Sequence, residues 1–393
     1  MDPLYKLSDD LLPFVFQHLK AIDIVKASLV SPQWYLKIGK SFECMQKIWL
    51  PFYESSSPLY NIKCLLNSER SYQNFKIQRG LPGNMISVFK KFQWKKVMIR
   101  DDQEMDCNDF KALMTHIAST VDTLDLWNIG TQVSEDELPA INFPNLRTLE
   151  YNFSSNQILP VFFGKNPKLL EVRIVTLAED DDDELPNEKI SRLFKFLDQN
   201  PSINDVKFYG ASSLFFRSQS NHEISLRLEK FAFADDFLEN ADKKCFLKFL
   251  SKQHNLKDVR FLPESKFNDV NFFVEIWKTL KNCKILTLSK CPNIDAILLL
   301  VTNTSIEKIR IESEINVQEA KMLTVTPNLK HLHLRSLNNK LLTYIVNNIK
   351  SVKIINYFTA PYEEGLVMED GFENIELKKI SLEDYLQKLY PNE

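Results

Sequence analysis

Two patterns of apolar positions divide the chain. Along residues 7–38 the spacing is helical: Leu11, Leu12, Val15, Phe16 and Leu19 share one broad face of a first helix. Asp23, just before Ile24 and Val25, reads as the N-cap of a second helix, its carboxylate accepting first-turn N–H groups. Ser31 reads as the N-cap of a third, with Pro32 at the first helical position and Trp34, Tyr35 and Ile38 as its stripe. Pro13 would remove an interior backbone bond unless the first helix begins near Asp9 or Asp10. Three such short helices carry more apolar surface than about forty residues can enclose, so they either cap a larger core or dock on another surface.

The second pattern is apolar-x-x-apolar-x-apolar. It starts at Tyr72, Trp94, Val121, Leu146, Leu169, Ile203, Leu228, Leu256, Cys283, Ile306, Leu329, Ile349 and Phe372, a spacing of about 25 residues on average, within the range of solenoid repeats. The alternating core predicts a strand with one buried face. Helix-like stretches fall between: Asp109 to Ser119, Glu188 to Gln199, Lys243 to Gln253, Asn271 to Lys281 and Lys340 to Asn348. Pro144, Pro167 and Pro327 each stand two residues before a start. Stacked units of this kind bury one core between them and form an array with parallel strands on the concave side and helices on the convex side. The widest step contains Glu179-Asp-Asp-Asp-Asp-Glu184, which reads as a solvated loop without the glycine and ligand spacing of a calcium loop. Ser381 to Leu389 reads as an amphipathic helix closing the last repeat.

Composition narrows the class. Lys plus Arg is 49 and Asp plus Glu 52 in 393 residues, a net charge of −3, which argues against a general nucleic-acid or anionic-membrane binder. No apolar run approaches a membrane span and no signal segment is recognisable, so a soluble, non-secreted protein is expected. The six cysteines are scattered without a Cys-x-x-Cys pair, fitting reduced thiols in cytoplasm or nucleus. Eight glycines in the whole chain form no phosphate-cradling cluster. Neither a catalytic triad nor a metal-ligand spacing is present, so no cofactor and no enzymatic activity are expected.

Residues Leu7 to about Lys47 resemble the F-box, matching its pattern at Leu7, Asp10, Val15, Phe16, Leu19, Asp23, Ile24, Val30 and Trp34. The chain departs from that pattern at Ser8, Ser31 and Pro32. From Tyr72 to Leu377 the chain resembles the leucine-rich-repeat family, although the Asn or Cys expected eight positions after each start is supplied clearly only by Cys291. The resemblance implies an α/β chain: an F-box at 1–50, a connecting segment at 51–71, a solenoid of about thirteen units at 72–380, and a capping helix with tail at 381–393. It implies a substrate receptor of a Skp–cullin–F-box ubiquitin ligase. A Skp-type adaptor would bind Leu7, Leu11, Leu12, Val15, Phe16, Leu19, Ile24, Val30 and Trp34, with the cullin joined through the adaptor and a protein substrate held by the repeats. A repeat scaffold that uses the adaptor without degrading its cargo is the alternative.

Side chains flanking the inner apolar pair of each unit should line the concave face, where basic residues outnumber acidic ones. Lys308, Arg310, His331, His333, Arg335 and Lys353 concentrate the excess, and Arg310, His333 and Lys353 are expected to form one column, with Glu312 neutralising Arg335. Such a column suits an acidic or phosphorylated segment, although the same side chains could simply fan into solvent. Trp127 and Tyr209 are the aromatic contact candidates; either could instead pack on the acidic loop.

Overall fold

The computed structural model describes residues 11–16, 18–53, 58–78, 86–100, 107–127, 139–153, 162, 164–176, 187–209, 226–234, 240–262, 270–290, 303–358 and 375–381. The architecture is α/β: a helical N-terminal region followed by parallel strands that recur in chain order, as in a solenoid. The chain divides into two compact units, residues 1–203 and 204–393.

The first unit opens with α1 (Leu12–Phe16), α2 (Ala21–Ser28), α3 (Pro32–Lys40) and α4 (Phe42–Met45). Ser31 caps α3 as expected, its Oγ accepting from Trp34 N at 3.3 Å with Pro32 in the first turn. Asp23 is not a cap: α2 begins two residues earlier, and Asp23 sits in its first turn, where a carboxylate still complements the helix dipole. Six parallel strands follow, β1 (Trp49–Tyr53), β2 (Asn74–Gln78), β3 (Lys96–Arg100), β4 (Thr123–Trp127), β5 (Thr148–Phe153) and β6 (Glu171–Thr176), each paired with the next. The stretch expected to connect F-box and repeats therefore holds β1 and a helix, α5 (Pro58–Asn67). Further helices are α6 (Ile86–Lys91), α7 (Cys107–Ile117) and α8 (Asn187–Gln199).

The second unit carries β7 (Asp205–Tyr209), β8 (Lys230–Ala234), β9 (Asp258–Phe261), β10 (Ile285–Leu288), β11 (Lys308–Ile311), β12 (His331–Leu334), β13 (Ile354–Tyr357) and β14 (Glu376–Lys379), again parallel and paired in order. Its helices are α9 (Asn240–Lys252), α10 (Val270–Thr279), α11 (Val317–Ala320) and α12 (Asn339–Asn348).

Period-two alternation sets the two faces of every strand. Pairs such as Val97 and Ile99, Leu124 and Leu126, Ile309 and Ile311, or Leu332 and Leu334 are fully buried, while the residues between and around them face outward. A turn precedes each strand. Leu169 N bonds Asn166 O, Ile203 N bonds Asn200 O and Leu329 N bonds Thr326 O, all at 3.1 Å. Proline at the second position of these turns explains why Pro167, Pro201 and Pro327 recur, since its fixed φ suits that place. The buried amide at the first turn position replaces the Asn or Cys sought after each strand. Asn200 Nδ2 bonds Phe196 O at 2.7 Å, and Asn303 Nδ2 bonds Trp277 O and Leu280 O at 3.2 Å each, helping to satisfy the last carbonyls at two helix C-termini.

Register corrects two unit assignments. The unit read from Ile349 starts at Val352, because Ile355 pairs with Leu332, and Ile349 is the buried first residue of the preceding turn. The last unit shifts likewise, with Leu377 opposite Ile355. The acidic run at 179–184 and the C-terminal helix beyond Ser381 lie outside the described residues.

Candidate functional site

The N-terminal helices enclose a small core of Phe16, Ile24, Ile38, Cys44, Met45 and Ile48, with Leu19, Val25, Ala27, Trp34 and Tyr72 packed against it. Phe16 and Trp34 meet edge to face at 6.1 Å. Lys47 Nζ reaches back to the carbonyls of Phe16 and Leu19 at 3.3 and 3.1 Å and closes the C-terminal end of α1. The core extends into the repeats: Asn74 Nδ2 bonds Gln46 O at 2.6 Å, and Arg70 Nη2 bonds Ser28 Oγ at 2.7 Å.

This arrangement sorts the nine residues expected to meet an adaptor. Leu11, Val15 and Val30 are exposed; Phe16 and Ile24, at 3% and 0% exposure, are inside the core and cannot touch a partner. Leu19 and Trp34 pack against that core from its edge. Leu7 and the Leu12 side chain lie outside the described residues. Exposed instead are residues the helical stripe did not select: Phe14 at 67%, Ile22 at 57% and Leu29 at 72%, with Leu36 and Phe42. The signal that could have found them is their number, since one short helix cannot bury both Phe14 and Phe16 on the same inner face. Together these side chains leave an apolar surface that nothing among the described residues covers.

On the outward face of the first unit, charges are largely paired within the chain. Arg173 Nη1 bonds Glu150 Oε2 at 2.8 Å, and Arg100 stands over the Trp127 ring at 4.9 Å while approaching Asp125 at 4.0 Å. Trp127 is thus covered on one side by Arg100. Burial, reinforced by Glu150, raises Asp125 to about 7 against the pull of Arg100, Arg173 and Lys76.

The second unit holds the other candidates. Tyr209 ends β7. Lys308 stands opposite His331 and Arg310 opposite His333. The third member of that column is Asn356, not Lys353: Asn356 pairs with His333 in register, and their side chains bond at 2.9 Å. Lys353 falls one residue before β13, its N–H bonded to Lys330 O, because the unit starts three residues later than its apolar spacing suggested. It joins the row of Lys284, Glu307 and Lys330 along the strand beginnings, where bonds from Lys284 and Lys330 hold Glu307 down to about 2. Glu312 answers to Arg260 and Arg310 rather than to Arg335; burial raises it to about 7 against both. Arg310 is itself lowered by burial, with Asp258 and Glu312 opposing and Arg260 adding to the shift.

Residues 4–41 match the family model for the F-box domain. A search of curated proteins finds no match to the chain. The N-terminal module is thus an F-box, a module that typically binds Skp-type adaptors, and the exposed Leu11, Phe14, Val15, Ile22, Leu29, Val30 and Leu36 lie within the matched region. No helix among the described residues is long and apolar enough to cross a membrane.

Proposed function

We propose that the chain is the substrate-recognition subunit of a Skp–cullin–F-box ubiquitin ligase. The observation that carries this reading is the F-box match at residues 4–41 together with the uncovered Leu11, Phe14, Val15, Ile22, Leu29 and Val30. The adaptor covers that surface and links the chain to the cullin. The repeats hold a protein target on their outward strand face, and a conjugating enzyme brought by the cullin's partner performs the chemistry. The chain acts by proximity, raising the effective concentration of target lysines.

Co-purification with a Skp-type adaptor tests the first half. The second half is tested by asking whether cullin is present in the assembly and whether a bound protein accumulates when cullin activation is blocked. Adaptor without cullin would favour a scaffold that degrades nothing.

A further inference from the structure

The turns that follow α9 and α10 differ from their neighbours at the residue that opens them. Asn200 and Asn303 hold that position elsewhere and donate to helix-end carbonyls. After α10 the residue is Leu280, which has no amide to donate. After α9 it is Gln253, whose longer side chain turns instead to the preceding repeat, its Oε1 accepting from Leu228 N at 3.0 Å. The Nε2 of Gln253 makes no hydrogen bond among the described residues. A cavity of about 430 Å³ opens between these two turns, floored by the buried Leu250, Leu256, Leu280 and Cys283. Gln253 lines it at 6% exposure, so a buried donor without a partner meets an apolar floor. Burial pushes the Cys283 thiol up to about 12, which makes it part of the wall rather than a nucleophile.

The approach to this cavity is basic. From Lys243 to Lys257 the sequence holds five lysines and no acidic residue, on a chain whose net charge is −3. Lys244, Lys248 and Lys252 fall at four-residue steps on one exposed face of α9, where like charges repel. A lysine in the last turn complements the helix dipole, which accounts for Lys252 but not for Lys244 or Lys248. His254, Lys278 and Lys281 stand on the cavity's rim. Glu275 answers Lys278 at 2.7 Å and Glu229 answers Lys257 at 3.0 Å. Lys244, Lys248 and Lys281 make no ion pair among the described residues.

We propose that this cavity docks an acidic peptide segment of a partner protein, with one apolar side chain inside and flanking carboxylates against Lys281, Lys248 and Lys244. Charge complementarity selects the flanks. The apolar floor and its buried amide select the anchor, a leucine-sized side chain whose backbone carbonyl accepts from Gln253 Nε2. From Lys244 to Lys252 the stripe runs about 12 Å along α9, the span of about four extended residues. A segment of about six residues therefore reaches from the cavity to Lys244. A polynucleotide or an anionic membrane would engage the lysines but leave the apolar floor unused. The site lies at helix ends and the turns before β9 and β10, apart from the outward strand face where the receptor reading places its target, and it does not rest on that reading.

The probe is a fluorescently labelled peptide of six residues, one leucine among glutamates, titrated with the full chain at about 0.15 M salt. Saturable binding is expected, and Lys248→Glu/Lys281→Glu should weaken it at least about tenfold while melting at the temperature of the natural chain. A peptide with serine in place of the leucine should also bind at least about tenfold more weakly, having lost its buried anchor. Absence of saturable binding, or equal binding by the double variant, would overturn the site. Equal affinity for the leucine and serine peptides would overturn docking in the cavity. Displacement of the peptide by a polynucleotide or a phosphatidylserine vesicle at lower concentration than by unlabelled peptide would overturn the ligand class. None of these readouts involves the adaptor, so failure here leaves the receptor reading standing, and loss of adaptor or cullin leaves this site standing.

Discussion

Arg70 lies over the ring of Tyr35, its Cζ 4.3 Å from the centroid, and so ties the third helix of the F-box to the segment leading into β2. The same guanidinium donates to Ser28 Oγ, which itself donates to Val25 O at 2.7 Å. Gly39 permits the approach: a Cβ there would stand 2.9 Å from Arg70 Cγ. Arg70→Ala should lower stability by about 2 kcal/mol, the sum expected of a half-buried cation–π contact and a charged hydrogen bond. Denaturant unfolding checks this, and a loss under about 0.5 kcal/mol would show that the F-box is held by its apolar core alone.

Ile22 and Ile24 offer an internal comparison on one helix, the first at 57% exposure and the second fully buried. Ile22→Asp should leave the thermal midpoint within a degree or two, since exposed changes rarely exceed about 0.5 kcal/mol. Ile24→Asp places an unpaired carboxylate in the core and should unfold the module. Circular dichroism melts of the two variants distinguish them, and equal melts would contradict the assignment of faces.

Much of this was legible from spacing. The outward and inward faces of the strands followed from alternation, and the Ser31-Pro32 helix start from capping chemistry, because both depend on neighbours in sequence. What escaped depends on partners distant in sequence. Phe16 and Phe14 are equally apolar, and packing against residues distant in sequence, Trp34 and the core of Ile24, Ile38 and Met45, decides which turns inward. Ile349 fits the apolar spacing as well as Val352 does, so Lys353 was misplaced until pairing with β12 set the register. The cavity between the ends of α9 and α10 joins residues of two repeats and exists only in the packed array.

Asn303 is a buried amide with both ends used: its Nδ2 donates to Trp277 O and Leu280 O, and its Oδ1 accepts from Ser305 N at 3.0 Å and Ser305 Oγ at 2.7 Å. Asn303→Ala removes the side-chain donor from Trp277 O at the end of α10, while Leu280 O keeps Ser305 Oγ and Cys283 N, and should cost about 1 to 3 kcal/mol. Asn303→Asp should cost more, losing the donors and burying a charge. The check is denaturant unfolding, and a smaller loss for Asp than for Ala would contradict the bonding described.

Asp125 makes stability depend on pH with a definite sign. Its folded value, about 7, lies above the ordinary 3.8, so the folded state binds the extra proton and this group's contribution is lost as pH rises across that window. Asp125→Asn should therefore be stabilising at pH 8 by on the order of 1–2 kcal/mol and near neutral at pH 4. Thermal melts at the two pH values decide it; a benefit confined to low pH would reverse the assignment. Glu312 contributes in the same direction, so the variant should flatten the profile only in part.

The central claim is that the exposed apolar side chains of the F-box form an adaptor-docking face. Leu29 and Val30, at 72% and 68% exposure, are the most direct probe, because neither belongs to the module's own core. Co-purification of a Skp-type adaptor with the natural chain and with Leu29→Asp/Val30→Asp should show capture by the first and at least tenfold less by the second, with the two melting alike. Equal capture by both would contradict the docking face, and with it the account of how this chain joins a ligase.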